Sequence, residues 1–213
     1  MNGGGIVLII GLLLCLAAVV ILIVAVVLWS RARKPAPAAP TAPVDPFRAM
    51  DADTDALRGD PRTLKPGDVV DIRGRSFLVR GSIRFTEGAW GWSEHLLDDS
   101  SGKPTGKVWL SVEEDPDLEL VLWSEVPGAT VTPGPARVEL EGRAYTSDES
   151  GSATYTSVGT TGLNPTGTVR YHDYTAPDGA ALSFEAYGDS DRWEVGRGEP
   201  LTRADVQIFP QAG

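Results

Sequence analysis

The chain has 213 residues, with 19 basic and 29 acidic side chains, two histidines and one cysteine. That length fits one or two domains, and the acidic excess excludes nucleic acid phosphates and anionic lipid headgroups as natural partners for the bulk of the chain. The lone Cys15 lies in an apolar N-terminal run, so no intrachain disulfide forms, and the remainder holds no thiol nucleophile or cysteine-based metal site.

Residues 6–29 carry no charged side chain. As a helix this run is about 36 Å long, against a hydrocarbon core of about 30 Å, so a single transmembrane helix with some tilt is predicted. The preceding "MNGGG" (1–5) lacks the basic residues of a cleaved signal, and the run is longer than a signal's apolar core. Trp29 suits an interfacial anchor, and Arg31, Arg33 and Lys34 follow at once. The positive-inside rule then puts residues 1–5 outside and the C-terminal domain in the cytoplasm. Apart from that basic cluster, 16 basic residues face 29 acidic ones.

Residues 30–63 read as basic flank and linker. "KPAPAAPTAPVDP" (34–46) is extended and semi-rigid by composition. "FRAMDADTDALRG" (47–59) puts Phe47, Met50 and Leu57 on one helical face, as a short weak helix or as disorder.

From residue 64 to 209, short apolar-polar alternations are broken by Gly, Pro and Asp. "VVDI", "SFLVRGSIRF", "AWGWSEHLL", "KVWLSVE" and "LELVLWSEV" read as strands. So do "VELEGRAYTS", "ATYTSV", "GTVRYHDY", "ALSFEAY", "RWEVG" and "VQIF". "SDESGS" (147–152) and "APDGA" (176–180) read as turns. The predicted class is all-β, a sandwich or partly closed barrel preceded by one transmembrane α-helix. An internal repeat divides it into units 64–130 and 131–209. "PGDVVDIRGRSF" aligns with "PGPARVELEGRAY", "LSVE" (110–113) with "LSFE" (182–185), and "WSEV" (123–126) with "RWEVG" (192–196).

"LKPGDVV", "GRSFLVRGSIRF", "WSEHLLDD", "VWLSVEED", "VRYHDY" and "LSFEAYG…RWEVGRGEPL" together resemble the bacterial domain-of-unknown-function family 4178, over about residues 64–209. The resemblance implies a β-rich domain, membrane-tethered in some members, and brings no activity with it. Relatives encoded beside small membrane proteins and aminopropyltransferase-like enzymes imply a role in a membrane or envelope system. The family more often has an aromatic residue at the slot of His95, which counts against an essential ligand there.

"AWGWSEHLLDD" (89–99) gathers two tryptophans, a histidine and three carboxylates. On a strand, Trp90, Trp92, Glu94 and Leu96 share one face, and His95 takes the other with Ser93 and Leu97. Trp92 and Trp109 suit core or cross-strand packing before ligand stacking. His95 and His172, each beside a carboxylate, fall at loosely equivalent places in the two units. With Glu113 or Glu185 they invite a metal reading, but the spacing matches no metal motif, so solvent-facing or hydrogen-bonded histidines are expected. Glu113, Glu185 and Glu194 recur after apolar strand residues. They are expected on the solvent face or paired with Arg75 or Arg143, with a polar pocket between the units as the other reading. Tyr171 and Tyr174 in "VRYHDY" complete the candidate positions. "EEDPDLE" (113–119) is acidic enough to attract a cation, though a solvated turn accounts for it.

No phosphate loop, nucleophile elbow or zinc-protease motif occurs. No catalytic residue, metal or cofactor is expected. The leading expectation is a non-enzymatic interaction or scaffold module, held to the lipid bilayer by residues 6–29 and presented to a protein partner. The alternative is a binding or sensing domain for a small cation or polyamine, in a cleft between the repeats.

Overall fold

The computed structural model describes residues 55–99 and 106–211. The expected transmembrane helix, its flanking Arg31, Arg33 and Lys34, and the proline tract lie outside the described residues. Among the described residues no helix is long and apolar enough to cross a membrane. Of the expected 47–59 helix, residues 55–59 are described: 55–58 form a single helical turn, which ends at Gly59 with φ of 75°.

The chain is all-β. Five strands run in the first half: β1 (Val69–Ile72), β2 (Arg75–Glu87), β3 (Trp90–Asp99), β4 (Val108–Glu114) and β5 (Leu118–Glu125). Six follow: β6 (Arg137–Leu140), β7 (Arg143–Gly159), β8 (Thr166–Thr175), β9 (Ala181–Tyr187), β10 (Glu194–Leu201) and β11 (Val206–Phe209). The sheet order is β11-β1-β2-β3-β4-β5-β10-β9-β8-β7-β6, and β2 also pairs with β7. That extra ladder closes β2-β3-β4-β5-β10-β9-β8-β7 into an eight-stranded antiparallel ring. Of the two expected arrangements the barrel forms, and it is closed.

Each half begins with the same device. β1 turns into β2 through Arg73 and Gly74, with φ of 51° and 80°. β6 turns into β7 through Glu141 and Gly142, with φ of 51° and 79°. Two successive positive φ values make the tight turn whose twist suits a hairpin. "VELEGRAYTS", expected as one strand, is therefore two. "APDGA" is a turn, closed by Ala176 N–H to the Ala180 carbonyl at 2.8 Å. "SDESGS" is not. It lies inside β7, where the register with β8 slips between Ser147 and Ser150. A bulge uses the same small polar residues as a turn, without reversing the chain.

Alternation along the strands builds three cores. On β4, Leu110 and Val112 enter one core with Val70, Phe77 and Leu120. On β9, Leu182 and Phe184 enter a second with Val138, Tyr145 and Tyr174. The opposite faces of the same strands line the inside of the ring. There a third cluster, Ile83, Phe85, Ala153, Tyr155 and Val169, packs against Trp92, Trp109 and Tyr187. β2 serves both sides, because a bulge between Val79 and Gly81 moves it from the first core to the third.

Candidate functional site: an acidic lumen

The register transfers equivalence from strand to strand. "LSVE" on β4 and "LSFE" on β9 match Ser111 with Ser183 and Glu113 with Glu185. Their partners on the preceding strands are Glu94 and Trp92 in one half, and Asp173 and Tyr171 in the other. Their neighbours on the following strands pair Glu113 with Glu119 and Glu185 with Glu194. The two halves thus offer the same series: Trp92/Tyr171, Glu94/Asp173, Ser111/Ser183, Glu113/Glu185 and Glu119/Glu194. "WSEV" and "RWEVG" do not fit this register, because one ends β5 and the other opens β10. Trp123 instead faces Gly198, across the seam where the halves meet.

Inside the ring lies a cavity of about 230 Å³. Among the described residues seven carboxylates line it, and no basic side chain does. Glu87, Glu94, Asp173 and Glu185 are half-buried; Glu113, Asp115 and Glu149 are exposed and stand nearer its mouth. Trp92 stacks on Phe85 with ring centres 4.8 Å apart, and meets Tyr171 edge-on at 5.6 Å. The Trp123 indole donates to Ser111 Oγ at 3.0 Å. A smaller cavity of about 40 Å³ adjoins the first, and Glu94, Trp123, Ser183 and Glu185 border both. It is also bordered by Trp109, Glu125 and Glu194.

The carboxylates form a file. Glu194 and Glu185 are direct cross-strand partners. Glu185 and Glu94 border both cavities together, and Glu94 feels the charge of Glu185 and of Asp173. Asp173 in turn feels Glu113, the cross-strand partner of Glu119. Burial raises the Glu94 carboxyl well above its ordinary range, and the neighbouring Glu185 and Asp173 raise it further. Burial likewise lifts Glu185 to about 7, against the hydrogen bond Tyr187 donates at 2.8 Å. Asp173 rises to about 6, chiefly by burial, although Ser183 hydrogen-bonds to it. Glu113 is raised by burial and by Glu119. The Tyr171 hydroxyl donates to Glu87 Oε2 at 2.5 Å, and burial with that bond keeps the phenol protonated. A methyl group on Gly151 would lie 2.6 Å from Glu87 Oε1 and 2.7 Å from the Tyr171 hydroxyl, so only glycine leaves room for the pair.

The structure brings together seven of the eight candidate positions: Trp92, Glu94, Trp109, Glu113, Tyr171, Glu185 and Glu194. Tyr174 is elsewhere. It is buried in the second core, where its hydroxyl donates to the Pro135 carbonyl and accepts from Gly134 N–H. Glu113, Glu185 and Glu194 do not pair with Arg75 or Arg143. Arg143 meets Asp178, Arg75 lies over Phe77, and Glu194 takes Lys107 Nζ at 2.9 Å. The reason is the face: each glutamate points inward and each of those arginines sits at a hairpin. Trp92 and Trp109 are half-buried, packed on the third cluster and bordering the lumen at once.

The histidines are neither equivalent nor paired. His95 is fully buried, with Nδ1 2.8 Å from Ser82 Oγ and Nε2 3.2 Å from Ser93 Oγ. Its counterpart by register is Tyr174. His172 lies edge-on to Trp193. Among the described residues no three His, Cys, Asp or Glu side chains are grouped to hold a metal ion. Sequence reasoning missed Glu87, Ser111, Trp123, Glu149, Asp173 and Tyr187. Strand alternation from Glu113 back to the serine of "LSVE", and from Glu185 on past the end of "LSFE", would have found Ser111 and Tyr187.

Residues 65–203 match the family described as a domain of unknown function (DUF4178). The chain belongs to this family. It is similar to an uncharacterised protein of Mycobacterium bovis, 36% identical over 192 residues that span 87% of this chain and 89% of that protein. Uncharacterised proteins from two Mycobacterium tuberculosis strains show the same identity and coverage. No solved structure matches the chain.

Proposed function

We propose that the barrel lumen of this family member binds a small organic cation, of the diamine or polyamine class, without chemical conversion. The observation that carries this is the file of carboxylates between aromatic walls, in a cavity that no basic side chain lines among the described residues. Carboxylates satisfy ammonium groups through charge-assisted hydrogen bonds. Indole faces accept both the cation and its methylene chain. An acidic interior also costs stability, since like charges directly opposite on a sheet repel. Such like-charge pairs occur at equivalent places in the two halves, exposed at Glu113–Glu119 and half-buried at Glu185–Glu194. With the expected span at residues 6–29, the domain would present this lumen beside the cytoplasmic face of a membrane, where a protein partner could read its occupancy.

Titration calorimetry of the full chain in non-ionic detergent with spermidine tests the reading. Binding that persists at raised salt, and that the double change Glu94→Gln with Asp173→Asn weakens by at least tenfold, is expected. Heat that disappears at moderate salt, or binding indifferent to both carboxylates, would assign the interaction to the acidic surface instead.

A further inference from the structure

Resting on that reading, we infer that the lumen exchanges protons for its cation: the empty site holds protons between its carboxyls, and an entering ammonium group expels them. The geometry of Glu94 and Glu185 carries this. Both side chains border the same two cavities, among carboxylates and with no basic side chain lining either among the described residues, and carboxyls crowded in this way without a cation keep a proton between them. The surrounding strands supply no cation in its place. β8 faces the pair with Asp173, and β10 with Glu194. β9 adds the Tyr187 hydroxyl, a donor to Glu185 that burial keeps protonated. β4 contributes Glu113 to the same cavity, and β5 contributes Glu125 to the adjoining one.

One ammonium group does approach. Lys107, just ahead of β4, reaches Glu194 Oε2, and its charge acts on Glu185 in the direction an exogenous cation would. It is engaged at the outer end of the file, with both partners substantially exposed. The inner carboxyls are left to protons. The raised proton affinities of Glu94, Asp173 and Glu185 agree with this arrangement. The device makes occupancy depend on pH: a lumen loaded near neutrality empties on acidification, as protons reclaim the carboxyls.

The test is calorimetry of the full chain with spermidine at pH 7, in buffers of different ionisation enthalpy. The apparent enthalpy should change linearly with the buffer's, with a slope of about one proton released per cation bound. Affinity should then rise by up to about tenfold per pH unit between pH 6 and 7. Glu185→Gln should bind spermidine with a smaller proton release; if that variant fails to fold, Glu94→Gln gives the same readout. Spermidine binding with a buffer-independent enthalpy and a flat pH profile would overturn the exchange while leaving cation binding intact. Undiminished proton release in both variants would also overturn it. Absence of spermidine binding at every pH would instead overturn the cation reading itself.

Discussion

Glu185 and Glu194 are direct partners across the β9–β10 ladder, two carboxylates where a sheet ordinarily sets opposite charges or apolar pairs. Tyr187 donates to the first, which lines the lumen, and Lys107 to the second, which stands at its exposed outer end. Such an arrangement makes the fold sensitive to proton concentration in a direction set by the shifts.

Asp173 and Glu185 hold their protons to about 6 and about 7, above the 3.8 and 4.5 of the free groups. The folded state therefore binds protons that the unfolded chain releases. The stability they contribute is fully present below the unfolded values and is lost as pH rises through 6 to 7. Thermal melting of the ligand-free chain should show the midpoint falling from pH 5.5 to 7.5 and levelling off above that. Glu185→Gln should flatten that slope and melt higher than wild type at pH 8. A wild-type midpoint that climbs over this range would contradict the buried carboxyls.

His95 works in the opposite sense. Burial pushes its imidazole down to about 4, helped by the charge of Arg84. The ring is neutral in the fold, and its contribution is present above the free value of 6.5 and lost as pH falls through about 4. Proton NMR should find the His95 ring unprotonated at pH 5.5. Its full titration near 6.5 would mean that the ring is solvated.

Trp109 packs on the third cluster and pairs across β4–β5 with Trp123. Trp109→Ala removes one wall of the lumen as well as part of that packing. A loss of about 3 kcal/mol, the low end for a large aromatic, is expected in denaturant unfolding because the side chain is only half-buried. A change within experimental error would show that the indole contributes no packing.

Gly198 faces Trp123 so closely that an added Cβ would lie 2.6 Å from Cζ3 of the indole. Gly198→Val should displace Trp123 at the seam, costing about 1–3 kcal/mol, and should break the indole bond to Ser111. Tryptophan emission reports the second effect independently of unfolding. An unchanged spectrum with unchanged stability would show that the seam yields.

Strand content was legible because each strand keeps its period of two, as in "ALSFEAY", whose buried Leu182, Phe184 and Ala186 alternate with Ser183, Glu185 and Tyr187. Ring closure was not, because β2 meets β7 through residues about seventy positions apart, with no local signature. The inward direction of Glu113 and Glu185 was missed for a related reason. A strand with apolar residues on one face normally turns its glutamates to water, and only a second wall makes that face an interior. The turn reading of "SDESGS" failed because small polar residues serve bulges as readily as reversals.

The β2–β7 seam also bears on how the chain emerges during synthesis. β2 ends at Glu87, but its partners on that side, Thr154–Gly159, arrive only after sixty-odd further residues. Until then residues 81–86 present an unpaired strand edge, with Ile83 and Phe85 awaiting the cluster that β7 completes. A nascent first half is therefore a template for mispairing with another copy of itself. Translation pauses or truncations between Glu87 and Gly159 are where this protein is most exposed to aggregation.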